Sequence, residues 1–248
     1  MKFFFKKQLE YLLAKLSKWT IAKYQPSIIG VTGTVGKTST KEAIYAALKD
    51  LRATRASRGN FNNEIGFPLT ILGDYEKIGG LFFWCGVLCR AAWRLVARQK
   101  YPEILILEYG IQKPGDMRYL LEIAKPNIAV MTALGDVPAH LEFFSNPESL
   151  IREKAKLLEA VPAIGFVVLN DDDDAVAGLD EKTRAHIMRF GYSADADVRI
   201  TNFEYLMTEE RPFGIAFKLN YGGNFVPVRF ANIFGKSHGY ASAAAMCL

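Results

Sequence analysis

The chain has 248 residues, 50% of them hydrophobic and 23% charged, so it can bury a sizeable core and is neither disordered nor fibrous. Its formal net charge of +5 is held in residues 1–24, where Lys2, Lys6, Lys7, Lys15, Lys18 and Lys23 face Glu10 alone. The rest is close to neutral, which excludes a nucleic-acid-binding surface spread over the fold. Three cysteines cannot build a disulfide framework and imply a reduced, cytoplasmic protein. Cys85 and Cys89, spaced i, i+4 in an apolar run with no other Cys or His close by, read as packing residues and not as zinc ligands.

In chain order, the N-terminus MKFFFKKQLEYLLAKLSKW lacks the uninterrupted apolar stretch and cleavage site of a signal peptide. It predicts a basic amphipathic helix over 1–26 that packs one face on the domain, with contact to a membrane surface as the second reading. From Ser27 onward, apolar runs at 28–31, 104–107, 128–131 and 166–169 alternate with helical periods at 41–49, 117–124 and 147–160. This rhythm predicts an α/β domain over 27–248, a three-layer P-loop-type fold with a mostly parallel sheet. After Gly191 three stretches of alternating polarity follow, at 198–207, 213–219 and 225–230. Gly222-Gly223 marks a tight turn between the last two, so a small antiparallel edge is expected near 198–230. Segment 79–100 is apolar, punctuated by Arg90, Arg94, Arg98 and Lys100, and too short to span a bilayer. It reads as a surface helix with one face buried, and a partner or lipid contact there is the alternative.

The sharpest motif is IIGVTGTVGKTSTKEAIYAAL, where a buried strand enters a Gly-rich turn and then a helix beginning near Lys37. Such a loop points successive backbone N–H groups at a polyphosphate, and the helix N-terminus adds favourable partial charge. Gly33, Thr34, Gly36, Lys37, Thr38 and Ser39 are therefore the candidate ATP-binding residues, with Lys37 on the β- and γ-phosphates and the Thr38 hydroxyl on Mg²⁺. The strict pattern G-x-x-x-x-G-K-[ST] wants glycine at 31, where this chain has Val31 with Gly30 beside it. Kinases, motors and ligases share this loop, so the chemistry must come from elsewhere in the chain.

Glu108 ends a buried strand, where parallel sheets place their ligands, and a lone carboxylate there needs a cation or a donor. A structural ion pair is the plainer role. His140 follows the strand at 128–131 and is either a metal ligand or an ordinary loop histidine. Lys154 is one of several basic residues on a helix, where a solvated face is the usual explanation, and Asn62 and Asn63 suit a turn. The run from Asp171 to Asp174 suits helix capping better than metal binding.

The loop T-G-T-x-G-K-T-S at 32–39 resembles the ATP loop of the Mur ligase family, the ATP-dependent amide ligases of peptidoglycan synthesis. Four further stretches follow in the family's order. GNFNNEIGFPLT at 59–70 resembles the GN-x-NNEIG-x-PLT segment of the branch that adds D-alanyl-D-alanine to UDP-N-acetylmuramoyl-tripeptide. LEYG at 107–110 with PGD at 114–116 is similar to that branch's E-[LM]-G…PG-[DE]. AHLEFF at 139–144 with EKAK at 153–156 resembles its AHLE-x-F…K-x-K, and VLNDDD at 168–173 resembles its L-N-x-D-D.

The resemblance implies an ATP-dependent ligase that activates a nucleotide-linked peptide carboxylate as an acyl phosphate, which a dipeptide amine then attacks. Its implied substrates are UDP-N-acetylmuramoyl-peptide and D-Ala-D-Ala, with ATP and Mg²⁺, and a monomer is expected. It implies catalytic roles for Lys37, His140 and Lys154, metal ligation by Thr38, Glu108, His140 and a carbamylated Lys154, and nucleotide contacts from Asn63 and Asn170. Two departures stand out: the family's UDP-sugar-binding N-terminal domain has no counterpart before residue 27, and its Rossmann-like C-terminal domain none after Leu248. The chain is thus expected to be the ATP-binding domain of a truncated ligase, weak or inactive alone. Gly239 and Ser242 stand where the family's closing helix carries asparagines. Folylpolyglutamate- or cyanophycin-type ligases, and a non-catalytic ATP-binding module, are the alternative readings.

Overall fold

Runs such as Ile28-Ile29 and Leu105-Ile106-Leu107 have no polar alternation, so the strands they form must be covered on both faces. The computed structural model, which describes residues 2–59, 61–135, 141–209 and 211–248, shows this arrangement. In chain order the elements are α1 (Lys2–Tyr24), β1 (Ser27–Thr32), α2 (Lys37–Leu48), β2 (Thr54–Ala56), α3 (Gly66–Leu72), α4 (Leu81–Val96), β3 (Ile104–Glu108), α5 (Asp116–Ile123) and β4 (Ile128–Met131). There follow α6 (Pro147–Glu159), β5 (Phe166–Asn170), α7 (Asp174–Ala177), β6 (His186–Gly191), β7 (Val198–Met207), β8 (Pro212–Tyr221), β9 (Asn224–Ala231) and α8 (Ser237–Met246).

The described strands form one sheet in the order β2-β3-β1-β4-β5-β6-β7-β8-β9. Pairing is parallel from β2 to β7 and antiparallel across β7, β8 and β9. This is the expected mostly parallel sheet with an antiparallel edge. Period-two side-chain direction splits the core: Ile28, Leu105 and Leu107 point to a face covered by α5 and α6, while Ile29, Val31 and Ile106 point to a face covered by α2 and α8.

A third cluster lies outside these layers, where Leu13 and Leu16 of α1 meet Leu69 and Leu72 of α3 and Val87 and Ala91 of α4. Helix α1 therefore packs one face on the domain, as expected, and α4 is the expected surface helix. Cys85 and Cys89, however, are exposed and not packing residues. They fall opposite Val87 and Ala91 on α4, and the i, i+4 spacing that put them together could not say which side of the helix would be covered.

Strands β2 and β6 and helix α3 were not anticipated. Strand β2 is three polar-flanked residues that exist only by pairing with β3. Helix α3 contains Pro68, which falls in its first turn, where a missing N–H costs nothing. Asp173 caps α7 by accepting from Val176 N, so the acidic run does include a helix cap.

Candidate active site

The phosphate loop hangs from the carboxyl end of β1. Gly33 and Gly36 both have positive φ, 141° and 86°, which fold the chain back before α2 begins. A Cβ on Gly33 would stand 2.0 Å from Thr132 Oγ1, so no side chain fits there. The loop is anchored from the neighbouring strand end: Thr34 N and Val35 N donate to Ala133 O, and Thr132 Oγ1 donates to Val35 O. The N–H groups of the first turn of α2 have no intrahelical acceptors, and they are the donors left for an anion. Lys37 Nζ donates to Gly33 O at 3.1 Å and Thr34 O at 2.9 Å, holding the ammonium over the loop.

Gly30 does not substitute for the glycine missing at 31. It lies within β1, where an added Cβ would come within 2.8 Å of the Tyr109 ring. That ring is fully buried and its hydroxyl donates to Ala124 O.

Glu108 reaches the same edge from β3, paired with β1 at Val31↔Glu108. Its carboxylate is only 2% exposed and each oxygen accepts one hydrogen bond: Thr38 Oγ1 donates to Oε2 at 3.3 Å and Asn62 Nδ2 to Oε1 at 3.0 Å. Lys41 Nζ lies 3.8 Å from Oε2. Lys41 is 0% exposed and also donates to Gly59 O. Sequence reasoning passed over Lys41, and the available signal was its i+3 spacing from Thr38 on the helix that follows the loop.

Lys154 comes from α6, opened by Pro147 and a capping box between Asn146 and Ser149. The apolar stripe Leu150, Leu157 and Leu158 seats the helix on the sheet and carries Lys154 into the interior. Lys154 is buried, not on a solvated face, and its Nζ donates to Thr34 Oγ1 at 2.8 Å. Burial, reinforced by the nearby Lys37 charge, pushes its amine down to about 7. Burial also lowers the Lys37 amine, an effect that Glu108 opposes. Glu153, next to Lys154, accepts from Gly115 N and Met117 N at the start of α5 and pairs with Lys156.

Thus Thr34, Gly36, Lys37, Thr38, Ser39, Asn62, Asn63 and Glu108 line one groove, and Gly33 and Lys154 line an adjoining cavity that shares Thr34, Lys37, Asn62, Asn63 and Gln112 with it. Asn63 Oδ1 accepts from Ile65 N and Gly66 N, so it also holds the start of α3. Asn170 is not brought into that groove: it ends β5, and its Oδ1 accepts from Asp172 N. His140 lies outside the described residues. The paired oxygens of Thr38 and Glu108 are hard donors suited to Mg²⁺, which binds through few protein ligands and completes its shell with water and phosphate. Among the described residues no group of three or more His, Cys, Asp or Glu could hold a metal by itself.

Fold and site together define a P-loop-type phosphate-binding α/β protein. The profile of the Mur ligase middle domain matches residues 31–80 and 92–248, so the chain belongs to the Mur ligase family. It is similar to the UDP-N-acetylmuramoyl-tripeptide–D-alanyl-D-alanine ligases of Mycobacterium tuberculosis (38% identical over 172 residues, 69% of this chain and 29% of the relative) and Rickettsia prowazekii (27% over 233 residues, 89% and 44%). Among solved structures it resembles the MurF ligase of Thermotoga maritima in complex with ADP (TM-score 0.77, 27% identical, 96% of this chain and 48% of that one). A MurF structure from Acinetobacter baumannii gives a TM-score of 0.74 at 25% identity, covering 94% and 45%. The chain therefore spans less than half the length of these relatives. No described helix is long and apolar enough to cross a membrane.

Proposed function

We propose that this chain is the ATP-binding part of a ligase that joins D-Ala-D-Ala to UDP-N-acetylmuramoyl-tripeptide. In this reading residues 1–26 are a basic amphipathic N-terminal helix and 27–248 are the central ATP-binding domain. The observation that carries it is the convergence of the Lys37 loop, Glu108 and the buried Lys154 on one groove, in a chain whose relatives bear that activity in their names. The γ-phosphate lies under Lys37 and the first turn of α2, whose donors offset charge as the phosphoryl group moves to the peptide carboxylate. The amine of the dipeptide then attacks the acyl phosphate, forming the amide and releasing phosphate.

Thr38 and Glu108 would hold Mg²⁺, which supplies charge neutralisation on the β- and γ-oxygens. Lys154, with its amine pushed down to about 7, has a substantial neutral fraction near pH 7. That is the nucleophilic form needed to add CO₂, and a carbamate there would turn a buried cation into a carboxylate. The purine is assigned to the apolar groove between α2 and α8, which begins at Thr38 and Ser39 and is walled by Ala43, Phe230 and Ile233.

The test is nucleotide binding by calorimetry and phosphate release with both substrates. ATP binds this chain, and Lys37→Ala weakens it by about a hundredfold, because charged hydrogen bonds to phosphate are worth about 1.5–3 kcal/mol each. Phosphate release that requires both substrates, measured in a protein that also carries the parts of the relatives outside the matched region, supports the ligase. Tight ATP binding without release in that longer protein assigns a non-catalytic module instead.

A further inference from the structure

Helix α4 breaks the usual rule for a surface helix. Its inner face packs on α1 and α3 through Val87 and Ala91, yet its outer face is also apolar. Phe82 is 93% exposed, Val96 82% and Trp93 60%, and Leu81, Cys85 and Cys89 are exposed with them. Positions 82, 85, 89, 93 and 96 repeat at helical spacing, so this is one continuous stripe. An apolar stripe left in solvent on a helix whose opposite face is already buried is one that something else covers.

Helix α1 lies beside it. Lys23 Nζ donates to Arg94 O, Leu95 O and Ala97 O, and Tyr24 Oη to Arg94 O, which pins the end of α1 to the end of α4. With Leu13 and Leu16 turned inward, the outer side of α1 carries exposed Tyr11, Lys15 and Trp19. The Lys15 ammonium sits over both rings, 5.9 Å from Tyr11 and 4.9 Å from Trp19. Helix α4 has no acidic residue, and the only one in α1 is Glu10, which pairs with Lys6. Arg90, Arg98 and Lys100 add positive charge around the apolar stripe. The family match begins at residue 31 and skips 81–91, so α1 and the first part of α4 lie outside it.

We propose that the outer faces of α1 and α4 form a docking surface for an anionic lipid bilayer, with the Phe82–Trp93–Val96 stripe entering the headgroup region and the lysines and arginines meeting lipid phosphates. Interfacial helices combine these two features: aromatic and aliphatic side chains at the acyl boundary and basic residues drawn to negative headgroups. Charge selects the lipid over a second copy of this chain, because two such faces brought together would set cation against cation. The attachment is peripheral, since neither helix can span the bilayer. It would hold the groove near a membrane without taking part in the chemistry.

The experiment is sedimentation of the whole chain with vesicles of phosphatidylcholine alone or with about a quarter phosphatidylglycerol, while following tryptophan emission. Binding to the anionic vesicles is at least about tenfold tighter than to the neutral ones, with a blue shift from Trp19 and Trp93. Phe82→Ser with Trp93→Ser weakens it by about tenfold or more, as does Lys15→Glu with Lys18→Glu, while ATP affinity and melting temperature stay at the parent values. The proposal is overturned by equal binding to both vesicle types, or by either double variant binding like the parent. It is equally overturned by a concentration-dependent dimer that Trp93→Ser abolishes, which would give the face to a second copy.

Discussion

The groove at the carboxyl edge of the sheet and the outer layer of α1 and α4 depart from ordinary burial in opposite directions. In the groove, charged side chains are inside: Lys41, Glu108 and Lys154 are all buried. In the helical layer, large apolar side chains are outside, Phe82 and Val96 above all. Each departure costs free energy in the isolated chain, and each would be relieved by a molecule of matching character: a polyphosphate and cation in the first case, a lipid surface in the second. The two regions also differ in how they are held. The groove is fixed by hydrogen bonds that tie α2, β3 and α6 to two loops, whereas the helical layer rests on apolar contacts and the clamp made by Lys23 and Tyr24.

The largest effect should come from removing one buried charge of the groove. Lys41→Ala removes the ammonium paired with Glu108 and should destabilise the fold by about 3–5 kcal/mol in urea denaturation. Adding Glu108→Gln to that variant should recover part of the loss, because no unpaired carboxylate then remains. A strictly additive double variant would mean that the pair is not coupled, and the comparison would lose its first term.

Packing beneath the groove ranks next. Gly30→Ala drives a methyl group into the Tyr109 ring and should cost about 1–3 kcal/mol, read from the same denaturation curves. A neutral result would show that Tyr109 can move aside and that Gly30 is not there to admit it.

Lys154 offers a signed pH dependence. The folded chain holds its amine neutral above about 7, while the unfolded chain keeps it protonated to about 10.5. The unfolded state therefore binds more protons across that window, and this residue makes stability rise as pH rises through it. Lys154→Met should abolish that part of the slope and raise the melting temperature at pH 7, while removing ligase turnover in the longer protein. Melting curves of parent and variant at pH 7 and pH 9 decide the matter, and parallel curves would refute it.

The smallest effect belongs to the helical layer. Phe82→Ser deletes a large aromatic side chain and should still shift stability by no more than about 0.5 kcal/mol, because the ring is in solvent. A larger loss would mean that the ring packs on the fold, and the contrast between the two regions would weaken.

Much of the groove at the carboxyl edge of the sheet was legible because it is written locally. A Gly-rich turn between a buried strand and a helix has few alternatives, and 33, 34, 36, 37, 38 and 39 occupy one loop and one helical turn. Glu108 was legible for a related reason, as the polar residue that ends an apolar run. Lys154 was found through resemblance alone. Its own neighbourhood, a helix with several basic residues, pointed to solvent, and only the packing of Leu150, Leu157 and Leu158 turned it inward. Lys41 escaped because a lysine on an amphipathic helix is ordinarily outside. The exposure of Cys85 and Cys89 escaped for the converse reason, since an apolar run does not say which of its sides will find a partner.

What the chain determines by itself is the alternation of buried strands with helices, the phosphate loop between them, and the basic and apolar character of α1 and α4. These follow from backbone sterics, side-chain period and local charge, which act over a few residues. What only the tertiary structure decides is which charges are buried together and which apolar face is left uncovered. Those outcomes depend on β1, β3 and α6 meeting at one edge and on α1, α3 and α4 sharing one small core. Contacts between residues as distant as Thr34 and Lys154 have no local signature, because the free energy that selects them belongs to the whole packed chain.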